Sequence, residues 1–277
     1  MKALFLISAD PDSEALVTYG GILTRALKAD STVLHVVQTK EDLSDGEQWA
    51  AQMAEILADQ VVETSVKHGN RIRQTLSQAR HSKYDLIIIS VQDFHGLVPR
   101  LLGLKGTRPL RPRTSSVLIV NHPRDSIQRI LICTGGLDVS DKTITGGAFI
   151  AQTANAQVTV LHVVKPVPSM YTGLQEVDET LPELLQSDTP FSQHLINSAE
   201  TLTRYQLDAK LEIRHGMVDR EILRESQVGD YDLIVMGAKE PKGYFQEWFL
   251  GDITNEVIAH APCPVLVLSK QGLVEER

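Results

Sequence analysis

Cysteine is scarce in this sequence: Cys133 and Cys263 are the two in 277 residues. A count so low excludes a disulfide-stapled secreted scaffold and fits a reducing cytoplasm. No apolar run approaches the roughly 18 residues that a membrane-spanning helix needs. Positive charge is not in surplus either. The formal net charge is −8, which argues against nucleic-acid backbones and anionic membrane surfaces as partners. His, Cys and carboxylate residues nowhere fall at zinc-ligand spacing, and there is no Walker loop. No serine–histidine–aspartate constellation is legible, so neither a catalytic residue nor a metal ligand is assigned. The opening MKALFLISADPDSE carries one lysine and a short apolar run. It meets Asp10-Pro11-Asp12 without a small-residue cleavage site and reads as a first strand, not a secretion signal.

What the chain does have is a duplicate of itself. Leu34-His35-Val36-Val37 recurs as Leu161-His162-Val163-Val164, 127 residues later. Tyr84-Asp85-Leu86-Ile87-Ile88 recurs as Tyr231-Asp232-Leu233-Ile234-Val235, 147 residues later. Gly20-Gly21 returns as Gly146-Gly147, His68-Gly69 as His215-Gly216, and Val117–Val120 as Val265–Leu268. Repeats of this kind divide the chain into two copies of one domain, 1–122 and 127–270. The growth in offset places an insertion within 165–195 of the second copy, where Pro166, Pro168, Pro182 and Pro190 break any long helix.

Each copy alternates short β-rich runs with helical patterns. In the second, 130–133, 158–164, 209–215, 233–236 and 265–268 read as strands, and 138–155, 191–205, 219–227 and 252–260 as helices. Such alternation with continuous apolar strands predicts α/β domains, each a doubly wound parallel sheet of five strands. Ligands of these sheets bind beyond the carboxyl ends of the strands, where strand order reverses. The paired glycines in the first helix of each copy predict close helix packing, since glycine costs a helix up to about 1 kcal/mol relative to alanine. His35 and His162 are expected in structural roles. Tyr244, Phe245, Trp248 and Phe249 are expected as core or interface contacts, and the two cysteines as unbridged.

The LHVV strand, the HG turn, the YDLI-V-MG strand and the terminal "HAPCPVLVL" from His260 to Leu268 resemble the universal stress protein family in its tandem form. The resemblance implies the strand order 3-2-1-4-5, an adenine-nucleotide alpha-hydrolase-like fold, and halves that pair through their last strands, with a homodimer also open. It implies a regulatory or binding protein rather than a clear enzyme. It also implies an ATP loop: glycine, two residues, glycine, nine residues, glycine, then serine or threonine. The second copy keeps Gly237 and Gly243 but has Glu240 at the second glycine, Gly251 one residue late, and Asp252 before Thr254. The first copy has Ser90, Asp93, Gly96, Gly103 and Leu104 in those places.

An acid therefore faces the triphosphate in both loops. Like charges about 4 Å apart cost on the order of 1 kcal/mol in water and about 4 at an effective dielectric of 20. ATP or AMP is disfavoured in the family's standard mode, with a dissociation constant weaker than roughly 100 μM for magnesium-ATP. Asp252 is expected to cap its helix. Of the two copies, the second is expected to retain any small polar ligand, at Thr134, Gly135, Gly136, Asp138, Val163, Met236, Gly237, Gly243, Gly251, Asp252 and Thr254, with 165–195 as a lid. The TGGLD stretch from Thr134 to Asp138 is also similar to the SGGxDS loop of the ATP pyrophosphatases, which leaves a nucleotide-cleaving enzyme as the alternative.

Overall fold

The structure, a computed structural model, describes residues 1–93, 97, 115–135, 140–164, 189–238, 247–269 and 272–273, with the backbone alone at 140, 190, 191 and 247–252. The first half runs β1 (Lys2–Ile7), α1 (Asp12–Ala26), β2 (Asp30–Val37), α2 (Leu43–Glu55), β3 (Val62–His68), α3 (Arg71–Ser82), β4 (Leu86–Ser90), a 3-10 turn (Val91–Asp93) and β5 (Ser116–Val120). The second runs β6 (Arg129–Thr134), α4 (Ser140–Ala154), β7 (Gln157–Val164), α5 (Pro190–Arg204), β8 (Ala209–His215), α6 (Val218–Val228), β9 (Leu233–Gly237), α7 (Glu247–His260) and β10 (Val265–Leu268).

All ten strands join one sheet in the order β3-β2-β1-β4-β5-β10-β9-β6-β7-β8. Read from each outer edge inward, both halves have the order 3-2-1-4-5, with parallel pairing throughout. At the centre β5 and β10 pair antiparallel, Val265 opposite Ile119 and Val267 opposite Val117. Both are apolar and fully buried, and left open they would form an adhesive edge.

Successive strand residues point to opposite faces of the sheet, and the core divides accordingly. Ala3, Phe5 and Ile7 of β1 join Ile132, Leu118 and Leu266 on one face, under α1, α2, α4 and α5. Leu4 and Leu6 join Cys133, Val117 and Val265 on the other, under α3, α6 and α7. The glycine pairs let helices lie close against this sheet. A Cβ on Gly20 would sit 2.6 Å from Phe5 Cε1, and one on Gly147 2.5 Å from Ile132 Cδ1.

The recurring Tyr-Asp has a mechanical reason. Asp85 Oδ2 accepts from the Lys2 N–H at 2.8 Å, and Asp232 Oδ2 accepts from those of Gln128 and Arg129 at 2.8 and 2.9 Å. Each carboxylate ties the start of a central strand to its neighbour. The HG turns recur because Gly69 and Gly216 have φ of +107° and +151°, which side chains rarely adopt. Across the junction, Tyr19 Oη donates to the Asp232 carbonyl at 2.6 Å, and Asn121 Nδ2 donates to that of Ala261 at 2.9 Å. Both cysteines are free and buried. Among the described residues no helix is long and apolar enough to cross a membrane.

One boundary differs from expectation. α7 begins at Glu247, so Gly251 and Asp252 lie inside the helix instead of preceding it. Asp252 therefore does not cap this helix, and Gly251 is not its leading turn. Nothing in Glu247–Leu250 breaks a helix, and one interior glycine costs less than an added turn of backbone bonds returns.

Candidate functional site

Strand order reverses between β1 and β4 in the first half and between β6 and β9 in the second. The carboxyl ends of those strands, Ile7 and Ser90, Thr134 and Gly237, border two equivalent crevices. Register makes the equivalence residue by residue: Ile7 lies beside His35 as Thr134 lies beside His162.

The first crevice is filled by its own protein. Arg71, the first residue of α3, grips Asp93 with two parallel bonds, Nε to Oδ1 at 2.7 Å and Nη2 to Oδ2 at 2.8 Å. Its Nη1 donates to the Ile7 carbonyl at 2.7 Å. Such a fork matches the guanidinium plane to both carboxylate oxygens. The side chains are only 24% and 13% exposed, so the pair is shielded enough to matter. From α2, Trp49 Nε1 donates to the Ser8 carbonyl at 2.8 Å, and Ser13 Oγ donates to the same carbonyl at 2.7 Å. Asp93 is the acid expected to repel a phosphate. Its actual partner is Arg71, and the two neutralise each other.

The second crevice is built differently. Thr134 ends β6, and its Oγ1 lies 3.0 Å from His194 Nε2 and 3.3 Å from His162 Nδ1. His194 comes from α5, and its Nδ1 lies 3.5 Å from Asp141 Oδ1 at the start of α4. Thr134, His162 and His194 are all buried, whereas Asp141 is exposed. His162 also bonds the backbone of Thr134, and in the first half His35 Nδ1 bonds the Ile7 carbonyl at 3.3 Å. A ring nitrogen facing a carbonyl carries a proton, so His162 acts as a donor toward the Thr134 backbone. His194 Nδ1 faces a carboxylate and carries its proton there, leaving Nε2 as the acceptor for the Thr134 hydroxyl. In that tautomer the Thr134 hydroxyl donates to His194 Nε2, and the Asp141 carboxylate accepts from His194 Nδ1–H.

Burial is the main electrostatic influence. It lowers the pKa of His162 to about 4, with the neighbouring His194 contributing. It also lowers His194, partly offset by Asp141. Both imidazoles are neutral at pH 7. Burial pushes Cys263 up to about 12 and Cys133 upward as well, so neither is a ready thiolate.

The expected ligand residues are thus placed unevenly. Thr134 ends β6 and Gly135 follows it, beside the end of β9, where Met236 pairs with Cys133 in register and Gly237 follows. Val163 and Met236 are buried in the core on one side of the sheet. Thr254 is half-buried in α7, one turn beyond Gly251 and Asp252. Gly136, Asp138, Gly243, Glu240, Gly96, Gly103 and Leu104 lie outside the described residues, as do Tyr244, Phe245 and, of the stretch 165–195, residues 165–188. The side chains of Trp248 and Phe249 do too. Among the described residues no group of three His, Cys or carboxylate side chains is arranged to hold a metal.

Sequence reasoning missed His194 and Asp141, and with them a Thr–His–Asp arrangement whose members lie up to 60 residues apart. A threonine, not a serine, stands at its head, so it is distinct from the serine–histidine–aspartate constellation sought in the sequence. One signal was present in the sequence. His194 falls in step with Leu195, Ser198 and Leu202 on the buried stripe of α5.

A family model described as "Universal stress protein family" matches residues 126–269. A universal stress protein of Methanocaldococcus jannaschii, MJ0531, is 28% identical over 55% of this chain and 88% of that protein. One from Thermus aquaticus is 30% identical over 50% of this chain and 96% of its own length. Among solved structures, a universal stress protein from Archaeoglobus fulgidus aligns with 96% of this chain and 95% of its own at 15% identity, with a TM-score of 0.64. A putative universal stress protein from Pseudomonas aeruginosa aligns with 97% and 93% at 14% identity, with a TM-score of 0.65.

Proposed function

Because this chain belongs to the universal stress protein family, we propose that it is a tandem member, a ligand-binding regulatory protein of the stress response. Residues 1–122 form its altered copy and 127–270 the copy that keeps a ligand site. The ligand is a small polar molecule seated beyond β6 and β9, against Thr134, Gly135 and Gly237. The observation that carries this reading is the contrast at the two switch points. Arg71 and Asp93 occupy the first crevice. The residue in Arg71's place in the second half is Val218, which carries no charge.

Nucleotides are the natural first ligands to try, and Glu240 weighs against tight binding of ATP or AMP in the family's usual manner. Calorimetric titration of the full chain with magnesium-ATP should return a dissociation constant weaker than roughly 100 μM. Copurification of stoichiometric ATP would refute that. For any ligand found, Gly237→Val should abolish binding and Ser90→Val, at the matching position of β4, should leave it unchanged. Equal losses would show that the ligand does not select the second half.

A further inference from the structure

The Thr134–His194–Asp141 chain has the connectivity of a nucleophile, its general base and the group that orients the base. We propose that Thr134 Oγ1 is an activated nucleophile that attacks a neutral acyl carbonyl, an ester or thioester, bound in the second crevice. The proposal rests on the reading that this crevice admits a small ligand.

Geometry and space support it together. Thr134 Oγ1 lies 3.0 Å from His194 Nε2, the ring nitrogen that accepts when Nδ1 carries its proton toward Asp141. Beside it, Gly135 is exposed, and among the described residues no atom lies within 4 Å of where its side chain would begin. α4 is the helix that follows β6 and begins at the carboxyl edge of the sheet, where the positive end of a helix dipole favours an oxygen gaining negative charge. His162 orders the other side of the hydroxyl without competing for its proton. Among the described contacts the chain contains one carboxylate and no cation. A phosphate dianion would be repelled by Asp141, whereas an uncharged carbonyl would not.

The step balances without any further reagent. Thr134 Oγ1 forms a bond to the carbonyl carbon and its proton passes to His194 Nε2. The tetrahedral adduct collapses, the bond to the leaving oxygen or sulfur breaks, and the His194 proton leaves with that group. Water, deprotonated by the same nitrogen, then releases the acid and restores the threonine. Nothing is oxidised or reduced.

A neutral alkyl phosphonofluoridate tests the nucleophile directly, because attack at phosphorus expels fluoride and leaves a stable adduct on oxygen. The intact protein should gain one phosphonyl group, mapped to Thr134 by peptide mass. Thr134→Val should stay unlabelled and Thr134→Ser should label. His194→Gln should react on the order of 100-fold more slowly, the usual worth of a general base. Asp141→Asn, at an exposed position that leaves folding intact, should slow labelling roughly 10-fold. The rate should fall on the acid side as His194 gains a proton. The proposal is overturned if wild-type protein labels no faster than Thr134→Val, if the adduct maps elsewhere, or if both His194→Gln and Asp141→Asn label at the wild-type rate. Failure to label alongside retained ligand binding removes the nucleophile only. Failure of both removes the open crevice as well.

Discussion

Arg71 and Val218 open equivalent helices in the two halves, and the crevices beside them have opposite contents. Where the helix begins with arginine, the guanidinium reaches Asp93 and the end of β1, and the protein occupies its own switch point. Where it begins with valine, a threonine and two neutral histidines line the strand ends instead. The strand order and pairing are the same in both. On the proposed reading, a few side chains at helix starts and strand ends separate a filled switch point from one that takes a ligand. Below the crevices the halves differ in the same spirit. Lys67, Gln78 and Tyr84 are linked in the first, and the charged set Arg214, Glu225 and Tyr231 stands in their places in the second.

The largest expected effect breaks the comparison by acid. The folded pKa of His162 is about 4 against about 6.5 when unfolded. The unfolded chain thus binds more protons between these values, and stability falls as pH drops from about 6.5 to 4, then levels off. The loss attributable to this residue is on the order of 3 kcal/mol, with His194 adding in the same direction. Urea unfolding at pH 7, 6, 5 and 4 should show His162→Asn flattening the profile more than His35→Asn does. Equal slopes for the two variants would contradict the difference between the halves.

A smaller effect concerns the filled crevice. Arg71→Ala strands the Asp93 carboxylate in a shielded place. Roughly 2 kcal/mol should be lost, short of the 3–5 seen for fully buried pairs because these side chains keep some water. Replacing both residues, Arg71→Leu with Asp93→Leu, should recover most of that. If the double variant is as unstable as the single one, the pair is more than a neutralised plug.

The smallest sharpens the comparison below the crevices. Tyr231 Oη donates to the Glu225 carboxylate at 2.9 Å, whereas Tyr84 Oη accepts from the Gln78 amide at 3.0 Å. Hydrogen bonds to charged groups contribute about 1.5–3 kcal/mol and neutral ones about 0.5–1.5. Tyr231→Phe should therefore cost about 1 kcal/mol more than Tyr84→Phe in the same denaturation assay, and an equal cost would mean that the ionic link adds nothing.

Much of the fold was legible because duplication prints its constraints twice. The Tyr-Asp pair, the HG turn and the double glycines recur since each answers a local need: a tie to a strand start, a positive φ, a close helix. The doubly wound parallel sheet followed from alternation and handedness, which depend on pattern and not on particular contacts, and the strand order was what the family resemblance implied. The site was less legible. Asp93 was visible as an acid facing a phosphate, but its partner Arg71 lies 22 residues away, and pairing across a crevice leaves no periodic trace. His194 sat inside the region taken for an insertion, and a threonine at a strand end looks like any β-branched residue. The start of α7 was placed a turn late because Gly251 was weighed as a loop residue, whereas helix propagation carried through it.

The antiparallel seam between β5 and β10 also has a consequence in time. Ile119 must wait for Val265, so a ribosome adding about 5–20 residues per second leaves the nascent first half with an unpaired apolar strand for on the order of ten seconds. During that interval the available mates are a chaperone or the same strand of another nascent chain. The last strand to be made is thus the one that ends the first half's exposure, and a chain truncated before Val265 should emerge as a sticky, self-associating product.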